Sequence, residues 1–149
     1  KSQAAAERKA AAKLAETDLK GLGKSGRMSW PIRGAVIRKY GENRSGEVAW
    51  KGILIQAGQG APVKAAGNGD VVYADWLKGY GMLMVIDHGR GYMSLYANND
   101  ALIKEVGDSV TAGERIATVG SSGGQGRTAL YFEMRLNGQP QNPNAWLRP

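Results

Sequence analysis

The chain has 149 residues, of which 42% are hydrophobic, and this length suffices for one domain with a sizeable core. The absence of cysteine excludes disulfides and thiolate metal sites, and no apolar run approaches the roughly 18 residues of a membrane-spanning helix. The net charge is +7, but its basic residues form no cluster with aromatics of the kind that nucleic-acid binders carry.

The N-terminal segment, residues 1–23, is rich in Ala, Lys, Glu and Leu and predicts a helix that stops at Gly21 and Gly23. It contains few large apolar residues, so it needs a partner surface or an upstream continuation. We expect the end of a longer helix or coiled coil, followed by a linker over residues 24–29. The basic side chains of this region are expected to form a solvated helix face.

From residue 30 onward, short apolar or alternating runs are separated by glycine-rich turns, which is typical of an all-β domain. The predicted strands are Ala35–Lys39, Ile53–Gln56, Asp70–Trp76, Met82–Asp87, Tyr92–Tyr96, Arg115–Val119 and Ala129–Leu136. Many short strands with regular turns favour an antiparallel sheet or a partly closed barrel over residues 30–149.

An ordered series of short segments runs through these strands and turns. It includes Lys51-Gly52-Ile53, Gly69-Asp70-Val71-Val72, Val85-Ile86-Asp87-His88-Gly89, Gly113-Glu114-Arg115-Ile116-Ala117 and Leu130-Tyr131-Phe132-Glu133. In this order the segments resemble a LytM (lysostaphin-type peptidase) domain over residues 30–149, and most of all the EnvC-type activators of cell-wall amidases. The resemblance implies a LytM-like β domain with an open groove.

The resemblance also implies where a zinc site would lie. Family peptidases hold zinc with three protein ligands and a water. The corresponding positions in this chain are Trp50, Leu54 and Tyr131, and two accessory histidines correspond to Asn98 and Ala129. Indole and isobutyl groups offer no lone pair to a cation, and a phenol with a pKa near 10 is a poor ligand at neutral pH. We therefore expect neither a metal cofactor nor catalysis.

The only histidine, His88, lies in Ile86-Asp87-His88-Gly89. One histidine without cysteine cannot make the usual zinc site. We interpret it as a structural residue at the end of a strand that hydrogen-bonds its own turn.

Strand alternation predicts which side chains share the former catalytic face. The predicted groove residues are Trp50, Lys51, Leu54, Tyr80, Leu83, Tyr96, Asn98, Ala129, Tyr131 and Arg135. Aromatic residues and arginine are over-represented at interface hot spots, so a peptide helix could lie in this groove. The alternative is that these residues merely fill the vacated site and bind nothing.

By resemblance, the domain is expected to be a non-catalytic activator of a periplasmic N-acetylmuramoyl-L-alanine amidase. Its groove would bind the amidase's inhibitory helix and so promote peptidoglycan cleavage at the division septum. A divisome complex of the FtsEX type would act through an upstream coiled coil outside this chain, and peptidoglycan is a further candidate partner. Two alternatives stay open: a passive peptidoglycan-binding module and a cell-wall endopeptidase with an atypical metal site.

Overall fold

The computed structural model describes residues 28–124 and 126–148, which form antiparallel strands and one 3-10 helix. The strands are β1 (Val36–Arg38), β2 (Asn43–Ser45), β3 (Val48–Ala49), β4 (Ile53–Gln56), β5 (Pro62–Lys64), β6 (Gly69–Leu77), β7 (Gly81–Gly89), β8 (Tyr92–Leu102), β9 (Ser109–Val110), β10 (Arg115–Val119), β11 (Ala129–Leu136) and β12 (Gln139–Gln141), and the helix η1 spans Pro143–Ala145. This confirms the predicted all-β antiparallel class. The predicted helix over residues 1–23 lies outside the described residues.

In the described part of the chain, ten strands form one sheet whose main path runs β1-β4-β11-β8-β7-β6-β9. Strand β12 pairs with β11, and β10 pairs with both β8 and β5. The hairpin β2–β3 forms a separate two-stranded sheet, and all of its strand residues are exposed. Strands β8 and β11 therefore lie at the centre, where both faces of the sheet can be covered.

The residues of β11 contribute to two buried clusters, one on each face of the sheet. Leu130 and Phe132 belong to one buried cluster, together with residues of β4 such as Ile53. Ala129 and Tyr131 point the other way, into a second cluster. Successive residues of a strand point to opposite faces, so an apolar run without alternation indicates burial on both sides. The second cluster underlies the functional face described below.

Met28 and Ser29 belong to the packed domain, although they fall in the predicted linker. Met28 is 0% exposed, pairs with Leu147 in a β-bridge, and its N–H donates to the Trp146 carbonyl. The Ser29 N–H donates to the carbonyl of Ala66. The domain therefore begins no later than residue 28. The described residues contain no helix with the length and hydrophobicity that a bilayer crossing requires.

Gly52 directly precedes β4 and lies against the backbone and a side chain of β11. A Cβ at this position would lie 2.4 Å from the Phe132 carbonyl oxygen and 3.0 Å from the Tyr131 ring. The replacement Gly52→Ala is expected to lower the free energy of unfolding by roughly 1–3 kcal/mol, because backbone atoms must shift to admit the methyl group. Chemical denaturation measures this change. Gly58→Ala is the matched control, since its Cβ would meet nothing within 4 Å, and equal stability of the two variants would contradict the close approach.

Candidate functional site

A cavity of about 310 Å³ opens on the face that carries the second buried cluster. Its wall comes from the β2–β3 hairpin, the β6–β7 turn and the loop after β10, and its floor comes from β8 and β11. The lining residues are Arg44, Val48, Ala49, Lys51, Gly79, Tyr80, Ala97, Asn98, Gly123, Tyr131 and Glu133. The cavity combines aromatic rings with charged side chains of both signs.

The rings of Tyr80 and Tyr131 line one side of the cavity, and the Trp50 ring packs beside Tyr131 to complete this aromatic wall. The ring centre of Tyr131 lies 6.1 Å from that of Trp50 and 6.2 Å from that of Tyr80, with tilted planes in both pairs. The guanidinium carbon of Arg44 lies 4.2 Å from the centre of the Trp50 ring, which is cation–π geometry. This contact holds the exposed hairpin against the aromatic wall.

A buried carboxylate organises the polar side of the cavity. Glu133 is 0% exposed, and its Oε1 accepts a hydrogen bond of 2.7 Å from the Tyr131 hydroxyl. Arg135 Nε donates to Glu133 Oε2 at 2.5 Å, and Arg135 Nη2 donates to the Tyr80 hydroxyl at 3.2 Å. Burial, and next the Glu133 charge, raise the pKa of Tyr131 well above its ordinary value. The phenol therefore stays protonated and acts as a donor.

The three positions expected to hold zinc in a family peptidase meet at this wall, but their side chains do not fit the metal. Tyr131 pairs directly with Leu54 across β11 and β4, and Trp50 packs in the same cluster. The Trp50 side chain offers only an N–H donor, and that of Leu54 has no polar atom. The Tyr131 hydroxyl stays protonated and donates its hydrogen bond to Glu133. Within residues 28–124 and 126–148, no group of three or more His, Cys, Asp or Glu side chains could hold a metal.

Asn98 ties the loop after β10 to the central sheet. Its Nδ2 donates to the carbonyl oxygens of Gly120 at 3.0 Å, Arg127 at 3.3 Å and Ala129 at 2.7 Å. Its Oδ1 accepts from the Gly123 N–H at 2.6 Å. The backbone of Asn98 is left-handed, with φ of 71°, which asparagine tolerates better than most residues. This side chain therefore fixes one wall of the cavity.

Most of the predicted groove residues lie in or under the cavity. Lys51, Tyr80, Asn98 and Tyr131 line it, and Trp50 packs against the Tyr131 ring. The remaining residues of this face lie deeper: Leu54, Leu83 and Ala129 are at most 2% exposed beneath the aromatic wall, and Arg135 reaches the site through Glu133 and Tyr80. The apolar members therefore lie beneath the lining of the cavity and offer little surface to a ligand.

The predicted place of Tyr96 on the groove wall is wrong. Tyr96 is 0% exposed in the first buried cluster, where its ring lies 5.3 Å from that of Phe132. Its neighbours Leu95 and Ala97 face the second cluster instead. The register of β8 against β11 places Tyr96 opposite Phe132, and a pattern within one strand cannot reveal which face of the sheet its residues share.

Sequence reasoning missed the hairpin wall of the cavity. Arg44, Val48 and Ala49 line the site from two strands of three and two residues. Their exposure leaves no hydrophobic pattern, so the segment gives no strand signal. The separation of Arg44 from Trp50 by a short turn-rich segment is the only hint that the two could meet.

His88 is buried near the end of β7, but the prediction that it hydrogen-bonds its own turn is wrong, because its partners come from other segments. Its Nδ1 lies 2.7 Å from the Asn68 carbonyl oxygen and its Nε2 lies 2.6 Å from Ser94 Oγ. The carbonyl can only accept, so Nδ1 carries the proton, and in a neutral ring Nε2 accepts from Ser94. The Tyr96 hydroxyl lies 2.7 Å from Ser94 Oγ and accepts from the Ala66 N–H. Burial lowers the pKa of His88 from 6.5 to about 4.

The depressed pKa of His88 predicts a loss of stability in mild acid. As pH falls below 6.5, the unfolded chain binds a proton that the folded chain takes up only near pH 4. The stabilisation is therefore complete above pH 6.5 and falls by roughly 3 kcal/mol between pH 6.5 and pH 4. Urea denaturation across this range measures it. The His88→Asn variant has no titrating ring and should show a flatter profile; profiles of equal slope would contradict the assignment.

The comparisons with known proteins agree with this fold. The sequence profile of Peptidase family M23 matches residues 48–143. Over 122 residues the chain is 52% identical to the murein hydrolase activator EnvC of Escherichia coli, covering 82% of the chain and 29% of that relative. It is 41% identical over 119 residues to the murein hydrolase activator NlpD of the same species, covering 79% of the chain and 30% of the relative. The chain thus spans less than a third of either relative.

Solved structures share the same architecture. A zinc-containing peptidase from Vibrio cholerae superposes with a TM-score of 0.74 at 23% identity, over 80% of this chain and 40% of that one, which shows the fold alone. Lysostaphin from Staphylococcus simulans superposes with a TM-score of 0.70 at 26% identity, over 80% of this chain and 51% of that one. The profile match covers most of the described domain, and the LytM resemblance read from the sequence is confirmed. The chain belongs to Peptidase family M23.

Proposed function

We propose that this domain activates a cell-wall hydrolase and does not itself cut peptidoglycan. The observation that carries the proposal is the 52% identity to a murein hydrolase activator over 82% of the chain. The side chains support it, because Trp50, Leu54 and Tyr131, at the positions that the LytM resemblance assigns to metal ligands, are poor ligands for zinc. A second activator matches at 41% identity, which points to the same class of function.

The target that we propose is a periplasmic N-acetylmuramoyl-L-alanine amidase. The cavity captures the amidase's inhibitory helix and thereby frees the amidase's own zinc site. Capture activates the enzyme only if the helix is more available in the open amidase than in the closed one, because a ligand shifts an equilibrium by its differential affinity. The cavity offers Tyr80 and Tyr131 as anchors and Lys51 as a charged neighbour for such a helix.

In the cell, this activity would serve peptidoglycan cleavage at the division septum. We propose that a divisome complex of the FtsEX type controls the domain through a coiled coil upstream of it. The two activators are more than three times as long as the region that matches this chain, which leaves room in them for a regulatory part.

Calorimetry tests the proposed capture directly. The chain is titrated with a purified N-acetylmuramoyl-L-alanine amidase from the same bacterium and with an amidase variant that lacks the inhibitory helix. We expect heat of binding with the intact amidase and none with the shortened enzyme. Binding of equal strength to both proteins would place the contact elsewhere, and no binding to either would contradict the proposed function. Circular dichroism of the shortened amidase verifies that it remains folded.

A further inference from the structure

Two exposed cations stand at the cavity without an acidic partner. Arg44 and Lys51 both line it, and neither forms an ion pair with any residue of the described ranges. Arg44 instead covers the Trp50 ring, which leaves its guanidinium edge accessible to a ligand. Unpaired cations at the mouth of a cavity attract anionic ligands and steer their approach.

The acidic side chain that lines the cavity does not cancel this charge. Glu133 is 0% exposed, and its two oxygens already accept hydrogen bonds from Tyr131 and Arg135. Arg135 compensates the carboxylate charge at 2.5 Å. The charges of Arg44 and Lys51 therefore remain uncompensated at the cavity mouth.

The shape of the wall favours a protein side chain over a sugar ring. The planes of Trp50 and Tyr131 meet at 44°, and those of Tyr80 and Tyr131 meet at 50°. Trp50 is 6% exposed and Tyr131 is 8% exposed, so neither ring offers the open flat face on which a sugar stacks. A concave site of about 310 Å³ is suited to a few side chains projecting from one segment.

We infer that the cavity recognises an acidic protein segment, in which one Asp or Glu side chain lies between Arg44 and Lys51. An apolar side chain of the same segment packs against Tyr80 and the edge of Tyr131. This inference rests on the proposed function, since it assigns a chemical character to the helix that the amidase presents. Charge complementarity then provides specificity and a fast encounter, while the aromatic wall provides most of the affinity.

Charge-reversed variants test the inference by calorimetric titration with the purified amidase. Lys51→Glu and Arg44→Glu are each expected to weaken amidase binding about tenfold, and the effect should shrink as the salt concentration rises. Lys51→Arg keeps the charge and should retain more amidase binding than Lys51→Glu. Lys64→Glu is the matched control, because Lys64 is an exposed cation that does not line the cavity. Circular dichroism of every variant verifies the fold.

A second experiment identifies the acidic residue of the amidase that contacts Arg44 and Lys51. Each Asp and Glu of the amidase's inhibitory helix is replaced by Lys in turn, and each variant is titrated against Lys51→Glu and Arg44→Glu. One replacement should restore at least part of the lost binding, which supports the inference. Full binding by both reversed variants would overturn it while the proposed function stood. Failure of the unmodified chain to bind the amidase would overturn both.

Peptidoglycan is the competing anionic ligand, since its stem peptides carry carboxylates. Purified sacculi are therefore sedimented with the same variants. We expect the charge reversals to change amidase binding more than sedimentation with sacculi. A loss of sedimentation with undiminished amidase binding would overturn the inference and assign the cations to the cell wall.

Discussion

Truncation of Tyr80 to alanine is expected to reduce amidase stimulation at least 30-fold, which corresponds to about 2 kcal/mol of binding free energy. Tyr80 is partly exposed, lines the cavity and lies beside Tyr131. It also accepts a hydrogen bond from Arg135, so its ring is held in place before a partner arrives. Anchors held in this way bind with little loss of side-chain entropy. The rate of dye release from labelled sacculi by a purified amidase measures the effect.

Trp76→Ala is the matched control for this truncation. Trp76 is 54% exposed and does not line this cavity. Its loss removes a large aromatic surface without touching the site, so stimulation should be unchanged. Equal losses in the two variants would mean that the cavity is not where the amidase binds. Thermal melting of both variants separates loss of binding from loss of fold.

Replacement of Asn98 by alanine should lower the free energy of unfolding by about 3 kcal/mol, which makes it the largest effect expected from a single polar side chain here. The change removes four hydrogen bonds, three to the loop after β10, including the one from the Gly123 N–H, and one to Ala129 of β11. It also places alanine at a φ of 71°, a conformation that glycine and asparagine tolerate better. Chemical denaturation measures the loss.

Asn98→Gly separates the two causes. Glycine adopts the left-handed conformation without strain but makes none of the side-chain hydrogen bonds. Its stability should therefore lie between that of the unmodified chain and that of Asn98→Ala. The account of the loop would be contradicted if Asn98→Ala unfolded at the same denaturant concentration as the unmodified chain. Both variants should also lose amidase stimulation, because the loop forms part of the cavity wall.

The sequence predicted the strands whose residues are apolar and bounded by turns. The predicted and observed bounds coincide for β4, β10 and β11. Strand β8 was predicted only as far as Tyr96, because the polar residues 98–100 are unfavourable in strands. The structure continues it to Leu102, where the side-chain N–H groups of Asn98 and Asn99 donate to backbone carbonyls. These hydrogen bonds depend on which segments lie next to β8, and no local sequence pattern predicts them.

At the site too, the pattern within one strand could be predicted from the sequence, whereas contacts between strands could not. Alternation places Ser94 and Tyr96 on the same side of β8, where their side chains share one hydrogen-bonded network. It cannot say which face of the sheet that pair occupies, because the choice depends on the register between β8 and β11. The left-handed φ of Asn98 then breaks the alternation, so that Ala97 and Asn98 both line the cavity. Arg44 lines the cavity and contacts the Trp50 ring, and this contact could not be predicted from the sequence.

The three positions that the LytM resemblance assigns to zinc ligands lie together in one packed core. Tyr131 pairs with Leu54 and packs against Trp50, so these side chains support one another. Only the edge of this core reaches the cavity, where Lys51, Tyr80 and Arg44 surround it. A partner would therefore contact the rim of the site and find the floor already packed.

Dye release from labelled sacculi tests the central claim most directly. Three samples are compared: the chain alone, a purified N-acetylmuramoyl-L-alanine amidase alone, and the two together. We expect no release by the chain alone, slow release by the amidase and much faster release by the mixture. Release by the chain alone, or a mixture no faster than the amidase, would contradict the claim that this domain acts by activating another enzyme.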